Sequence, residues 1–228
     1  MSVAAVVLAA GKGRRFRSKV PKPFVRLGKR PVLVHSLEAF RREPGIREMI
    51  VVVSPGTMRA ARSLLARCGL AEAKVVSGGA RRQDSVANAL KALGPCSDYV
   101  LIHDAARPLI GVALVRKLIR EARSSGAACL AVPVKATIKS VKRAGMRFVV
   151  VKTLDRKALW EVQTPQVFST GLLREAYRRY GRQAVTDDAS LVERLGHPVT
   201  VVEGSYSNIK ITTPEDLAIA EALLKRKI

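Results

Sequence analysis

Apolar positions along the chain fall into two rhythms. Unbroken runs of four to eight residues recur, and longer stretches with apolar residues three and four apart stand between them. The first kind predicts buried strands at residues 3–10 (VAAVVLAA), 46–55, 73–79, 98–104 (DYVLIHD), 127–134 and 198–204, with a further short one at 208–212 (NIKIT). The second predicts helices over 31–43, 57–69, 84–93, 111–126, 170–180 and 187–195, and a last one from Pro214. Pro31 falls in the first turn of its helix, Gly69 closes the next, and Asp84 or Ser85 caps the third. Strands that are apolar throughout are covered on both sides, and their alternation with helices implies a mostly parallel sheet. The expected fold class is α/β, Rossmann-like, with helices on both faces of the sheet.

One stretch breaks the alternation. Residues 135–155, KATIKSVKRAGMRFVVVKTLD, carry two β-like runs joined around RAGM, the pattern of an inserted β-hairpin. A projecting hairpin with apolar residues on both runs needs a cover, and a second subunit would supply one. We expect one domain over residues 1–228 with this arm projecting from it.

Composition sharpens the picture in three places. No apolar run reaches the roughly 20 residues that span a bilayer. The first run also precedes its positive charges, the reverse of a secretory leader, so no membrane partner is expected. Cys68, Cys96 and Cys129 are odd in number and scattered, which argues against a disulfide framework and suits the reducing cytoplasm. Forty-one Lys and Arg against 18 Asp and Glu leave a net charge of +23, which attracts polyanions. The basic residues are dispersed and lack interleaved aromatics, so no specific nucleic-acid function is expected.

The charge gathers meaning at residues 8–24, LAAGKGRRFRSKVPKPF. This stretch leaves the carboxyl end of the first strand, where ligands of such sheets bind. Gly11 and Gly13 let backbone N–H groups approach anionic oxygens. The third glycine of a dinucleotide fingerprint is missing, because Phe16 stands there, and no GKS or GKT completes a P-loop. With Arg14, Arg15, Lys19 and Lys22 alongside, the turn suits a triphosphate. Lys210 interrupts an apolar run between Ile209 and Ile211, and Asp104, Ala105 and Arg107 follow a strand at its carboxyl edge. No cluster of carboxylates has metal-ligand spacing.

LAAGKGRRF…VPKPF resembles the signature of sugar-phosphate nucleotidyltransferases, and the likeness continues along the chain. GGARRQDSV (78–86), HDAARPLI (103–110), PVKATIK (133–139), TLDRKALWEVQTPQVF (153–168), TDDAS (186–190) and EGSYSNIKITTPEDLAIAEALL (203–224) follow in order. Together they resemble the 2-C-methyl-D-erythritol 4-phosphate cytidylyltransferases of the non-mevalonate isoprenoid pathway. The resemblance implies the nucleotidyltransferase fold and transfer of CMP from CTP to the sugar-alcohol phosphate, with release of pyrophosphate. It also implies magnesium held mainly by the CTP phosphates and water, and a homodimer formed through the 135–155 arm.

The roles it implies are specific. Arg15, Lys22 and Lys210 would stabilise the transition state. Ala9, Ala10, Gly11, Gly13, Gly79, Ser85, Asp104, Ala105 and Arg107 would bind the nucleotide. Arg156, Thr137, Thr164, Thr186 and Asp187 would hold the substrate, with Thr137 and Arg156 serving the other subunit. The chain departs from the family pattern at Pro23, Ala80, Ala136 and Ser207, where Gln, Asp, Asp and often Asp are usual. Three other functions share parts of this pattern: a ribitol 5-phosphate cytidylyltransferase, an RNA-binding relative without activity, and a CTP sensor that releases no pyrophosphate.

Overall fold

The computed structural model describes residues 1–11, 16 and 20–226. In chain order the strands and helices are β1 (Val3–Ala9), β2 (Arg26–Leu27), β3 (Arg30–Pro31), α1 (Val32–Arg41), β4 (Ile46–Val53), α2 (Met58–Arg67), β5 (Lys74–Ser77), α3 (Arg82–Ala92), β6 (Tyr99–Asp104), α4 (Val112–Ser125) and β7 (Ala127–Pro133). They continue with β8 (Lys139–Ala144), β9 (Arg147–Thr153), β10 (Trp160–Ser169), α5 (Thr170–Tyr180), α6 (Ala189–Glu193), β11 (Thr200–Glu203) and α7 (Pro214–Lys225). Seven strands form one sheet in the order β11-β7-β10-β6-β1-β4-β5. Only β10 runs against its neighbours, between β6 and β7.

Alternate side chains of the central strands enter opposite cores. Val3, Ala5 and Val7 of β1 pack with Leu33, Leu37 and Phe40 of α1, Leu65 of α2 and Leu118 of α4. Ala4 and Val6 face Val86 and Leu90 of α3, Leu173 of α5 and Leu191 of α6. The period of two along a strand sends neighbours to opposite faces, so a strand covered on both must be apolar throughout. Each Leu- or Val-sized side chain buried in this way contributes about 1.5–3 kcal/mol. A third core, Phe16, Leu27, Val32, Leu109, Ile211 and Ala220, joins α7 to the carboxyl edge of the sheet.

The observed elements correct several expectations. The run 208–212 is not a strand: Ile211 N–H bonds Ala106 at 2.8 Å, but side chains take the carbonyls that a ladder would need. Strand β10 was not anticipated, because Pro165 lies inside it; the ladder to β7 shifts register between Val162 and Gln166. α3 begins at Arg82, ahead of both proposed caps, with Asp84 accepting from the Arg81 N–H at 3.0 Å. α6 covers only Ala189–Glu193, and Pro31 precedes α1 instead of entering it. The hairpin stands where expected, β8 and β9 pairing antiparallel. Val141, Phe148, Val149, Val150 and Val151 on it are all exposed. None of the helices among the described residues is long and apolar enough to cross a membrane.

Candidate active site

A cleft of about 350 Å³ opens at the carboxyl ends of β1 and β6. Its floor is the end of β1, Leu8 to Gly11. Gly79, Ala80, Arg81, Arg82 and Ser85 form one wall, Asp104 to Ala106 another, and Lys22 and Lys210 stand at the rim. The wall from Gly79 to Ser85 is a turn closed on itself: the Gly79 N–H donates to Ser85 Oγ at 3.1 Å, and Ser85 Oγ donates to the Arg81 carbonyl at 3.3 Å. Gly78 packs too tightly for any side chain, since a Cβ there would lie 2.4 Å from the Ala10 methyl and 3.0 Å from Ser85 Oγ.

Charge in the cleft is organised around Asp104. Lys210 Nζ donates to its Oδ2 at 2.5 Å, and Arg82 Nε lies 3.5 Å from its Oδ1. Burial raises the Asp104 carboxyl, but Arg82 and Lys210 outweigh it and hold the group at about 2. Arg82 is anchored in turn by Asp188, wholly buried, at 2.7 Å. The other carboxylate oxygen of Asp188 accepts from the Tyr177 hydroxyl at 2.5 Å. Burial lowers the Arg82 guanidinium, yet Asp188 and Asp104 more than reverse this, so it stays protonated. Lys22 Nζ donates to the Ile211 carbonyl at 2.9 Å and lies 5.5 Å from the centre of the Phe16 ring.

Of the residues singled out from sequence, Ala9, Ala10, Gly11, Lys22, Gly79, Ser85, Asp104, Ala105 and Lys210 line this one cleft. Gly13 and Arg15 lie outside the described residues. Arg107 is buried, and its Nη1 donates to the Asn208 carbonyl at 2.7 Å instead of facing the cleft. The Thr164 hydroxyl is also buried, 3.0 Å from the Asp104 N–H and 3.2 Å from His103 Nδ1. Asp187 binds the start of α6 through the Ser190 N–H at 3.2 Å and accepts from Gln166 Nε2 at 2.8 Å, while Thr186 is exposed. Thr137 and Arg156 are exposed at the base of the arm, where the Arg156 guanidinium bonds the Lys135 carbonyl. They do not line the cleft of their own chain.

Arg82, Asp188, Tyr177 and Gly78 were not singled out from sequence. Arg82 sits in a quoted motif but looks like one more arginine in a basic chain; its partner lies 106 residues away. The one available signal was the doubled Asp in TDDAS, whose second member is fully buried.

Among the described residues no group of three or more His, Cys, Asp or Glu side chains could hold a metal ion. A mostly parallel sheet whose carboxyl edge offers a glycine turn, Lys22 at the rim, and Lys210 and Arg82 on the ionised Asp104 has the architecture of a nucleotidyltransferase. The family profile of IspD, 2-C-methyl-D-erythritol 4-phosphate cytidylyltransferase, matches residues 3–226, and the chain belongs to that family. The 2-C-methyl-D-erythritol 4-phosphate cytidylyltransferase of Pelotomaculum thermopropionicum is 45% identical, the match covering 99% of this chain and 95% of the relative. The crystal structure of 4-diphosphocytidyl-2C-methyl-D-erythritol synthase from Anaerococcus prevotii has a TM-score of 0.85 at 34% identity, covering 98% of this chain and 96% of that one. The cytidylyltransferase of Thermus thermophilus has a TM-score of 0.81 at 38% identity, covering 99% and 100%. Transfer of CMP from CTP to 2-C-methyl-D-erythritol 4-phosphate is the reaction of this family.

Proposed function

We propose that this chain carries out the family reaction by charge stabilisation alone. The observation that supports it most is the meeting of Lys22, Lys210, Arg82 and the end of β1 around one cleft. The attacking group is a phosphate monoester, already ionised, so the step needs no general base. One of its oxygens bonds to the α-phosphorus of CTP in line with the leaving group. The bond to the β-phosphate oxygen breaks, and pyrophosphate departs. Negative charge concentrates on the α-phosphate oxygens, where fixed cations act most strongly. Lys22, Lys210 and Arg15 supply them. Asp104, acceptor-only while ionised, takes hydrogen bonds from the ribose hydroxyls, and the Gly79–Ser85 turn receives the base.

Magnesium fits as an ion carried by the nucleotide. Asp104 already faces Lys210 and Arg82, and among the described residues no group of three or more His, Cys, Asp or Glu side chains could hold a metal. The ion would therefore be held by the CTP phosphates and water and would supply charge neutralisation of the triphosphate. The substrate phosphate is held by Thr137 and Arg156 of the second subunit in a homodimer. Their exposure outside their own cleft and the uncovered apolar arm both support this. Arg156 makes a bidentate partner for phosphate. Three cysteines without a disulfide suit a cytoplasmic enzyme.

The test is pyrophosphate release with CTP, magnesium and 2-C-methyl-D-erythritol 4-phosphate, beside ribitol 5-phosphate. Turnover with the first and at most a hundredth of it with the second is expected. Turnover with ribitol 5-phosphate alone would change the substrate and keep the mechanism. Tight CTP binding without turnover on either would leave a CTP sensor.

A further inference from the structure

Lys210 sits on a segment without regular secondary structure, residues 204–212, yet it must be placed to within a few tenths of an ångström to act on developing charge. Something other than a strand ladder holds it. Asn208, two residues before, is completely buried. Its Nδ2 donates to Gln163 Oε1 at 3.1 Å and to the Thr164 carbonyl at 3.0 Å. Gln163, itself buried, donates back through Nε2 to the Ser205 carbonyl at 3.0 Å. The Asn208 carbonyl accepts from Arg107 at 2.7 Å. Gly204 leaves the room, for a Cβ there would lie 2.6 Å from Gln163 Oε1. The acceptors come from the register break in β10, where Gln163 and Thr164 leave the ladder with β7.

We propose that Asn208 is a positioning residue: clamped by Gln163 and Thr164, it sets where Lys210 stands over the cleft. The break in β10 thereby acquires a purpose, presenting a side-chain amide and a backbone carbonyl to the neighbouring segment. The proposal rests on the reading of Lys210 as a transition-state cation. A cation shifted out of place costs the transition state more than the ground state, so kcat suffers before KM.

The test pairs kinetics with structure. Asn208→Ala should lower kcat by roughly 10- to 100-fold while KM for CTP moves less than about threefold. In a Lys210→Ala background the same substitution should cost less than about threefold, because the residue it positions is gone. An equal loss in both backgrounds, or an unchanged kcat, would overturn the proposal. Gln163→Met keeps the bulk and removes the clamp from the other side, and should reproduce the pattern if Asn208→Ala does not fold. A crystal structure of either variant reads the same point without turnover. Loss of the Lys210–Asp104 contact supports the clamp, and an unmoved Lys210 refutes it even for a chain that does not turn over CTP.

Discussion

His103 and Asp104 are consecutive in β6 and are treated oppositely by their surroundings. Asp104 faces the cleft and is kept ionised by two cations. His103 points into the core against Phe40, wholly buried, and burial pushes its imidazole down to about 4. Its Nε2 lies 3.1 Å from the Arg107 carbonyl, which can only accept, so the proton is on Nε2. Nδ1 then accepts from the Thr164 hydroxyl, whose oxygen takes the Asp104 N–H. Neutral His103 thus fixes the rotor of Thr164 and the backbone beneath Asp104. The unfolded histidine titrates near 6.5, so the unfolded chain binds a proton that the folded chain refuses between that value and about 4. Stability is full above pH 6.5 and falls as pH drops through this window, by roughly 3 kcal/mol. Denaturant unfolding from pH 7 to 4.5 should show this decline, and His103→Gln should remove most of it. An equal slope in the variant would assign the effect elsewhere. Asp104 is legible in the sequence as a candidate because the last residue of a strand meets the ligand edge. That Arg82 reaches Asp104 is not legible there, since that contact is made by folding alone.

At the scale of elements, β1, β4 and the start of α3 converge on the glycine pair 78–79. The Gly78 N–H donates to the Val53 carbonyl at 2.8 Å, and the missing side chain lets the turn lie against Ala10. Gly78→Ala must push the end of β1 away from the α3 turn, widening the nucleotide pocket. We expect the Kd for CTP to rise roughly tenfold or more, about 1.4 kcal/mol, with the fold retained. An unchanged Kd by calorimetry would show that the two walls are not coupled. Most elements were legible because they bury apolar surface with a clear period, as in β1 with both faces covered. β10 was hidden by a proline that normally argues against a central strand. NIKIT had the alternation of a strand, but Asn208 and Arg107 spend the backbone acceptors of its neighbourhood on side-chain bonds. Periodicity reports where side chains point, not which groups satisfy the backbone.

For the whole molecule, the question is how much of a site one chain contains. The cleft holds the nucleotide-side residues, while Thr137 and Arg156 sit outside it on the stalk of an arm whose apolar residues face solvent. Tyr206 ties this stalk to the segment bearing Lys210: its hydroxyl donates to the Pro133 carbonyl at 2.7 Å, and Lys135 Nζ stands 3.4 Å from its ring centre. A net charge of +23 favours approach of a tetraanionic nucleotide and a dianionic substrate but does not orient either. The proposed site assigns orientation to a few residues at the sheet edge, and the arm's position is legible as a break in the α/β rhythm. The proposal that Thr137 and Arg156 serve a second subunit comes from family resemblance alone, because no pattern within one chain encodes a symmetry partner.

Mixed dimers separate a site shared between two subunits from one within a single chain. Lys210→Ala and Arg156→Ala should each be nearly inactive as homodimers. Co-expressed, half of the dimers carry one of each, and in those one site has both substitutions while the other has neither. Recovery to about a quarter of wild-type pyrophosphate release is expected, as for random pairing in a two-fold dimer. Mixtures as inactive as their components would mean that Lys210 and Arg156 serve a site within one chain, and the shared site would be wrong.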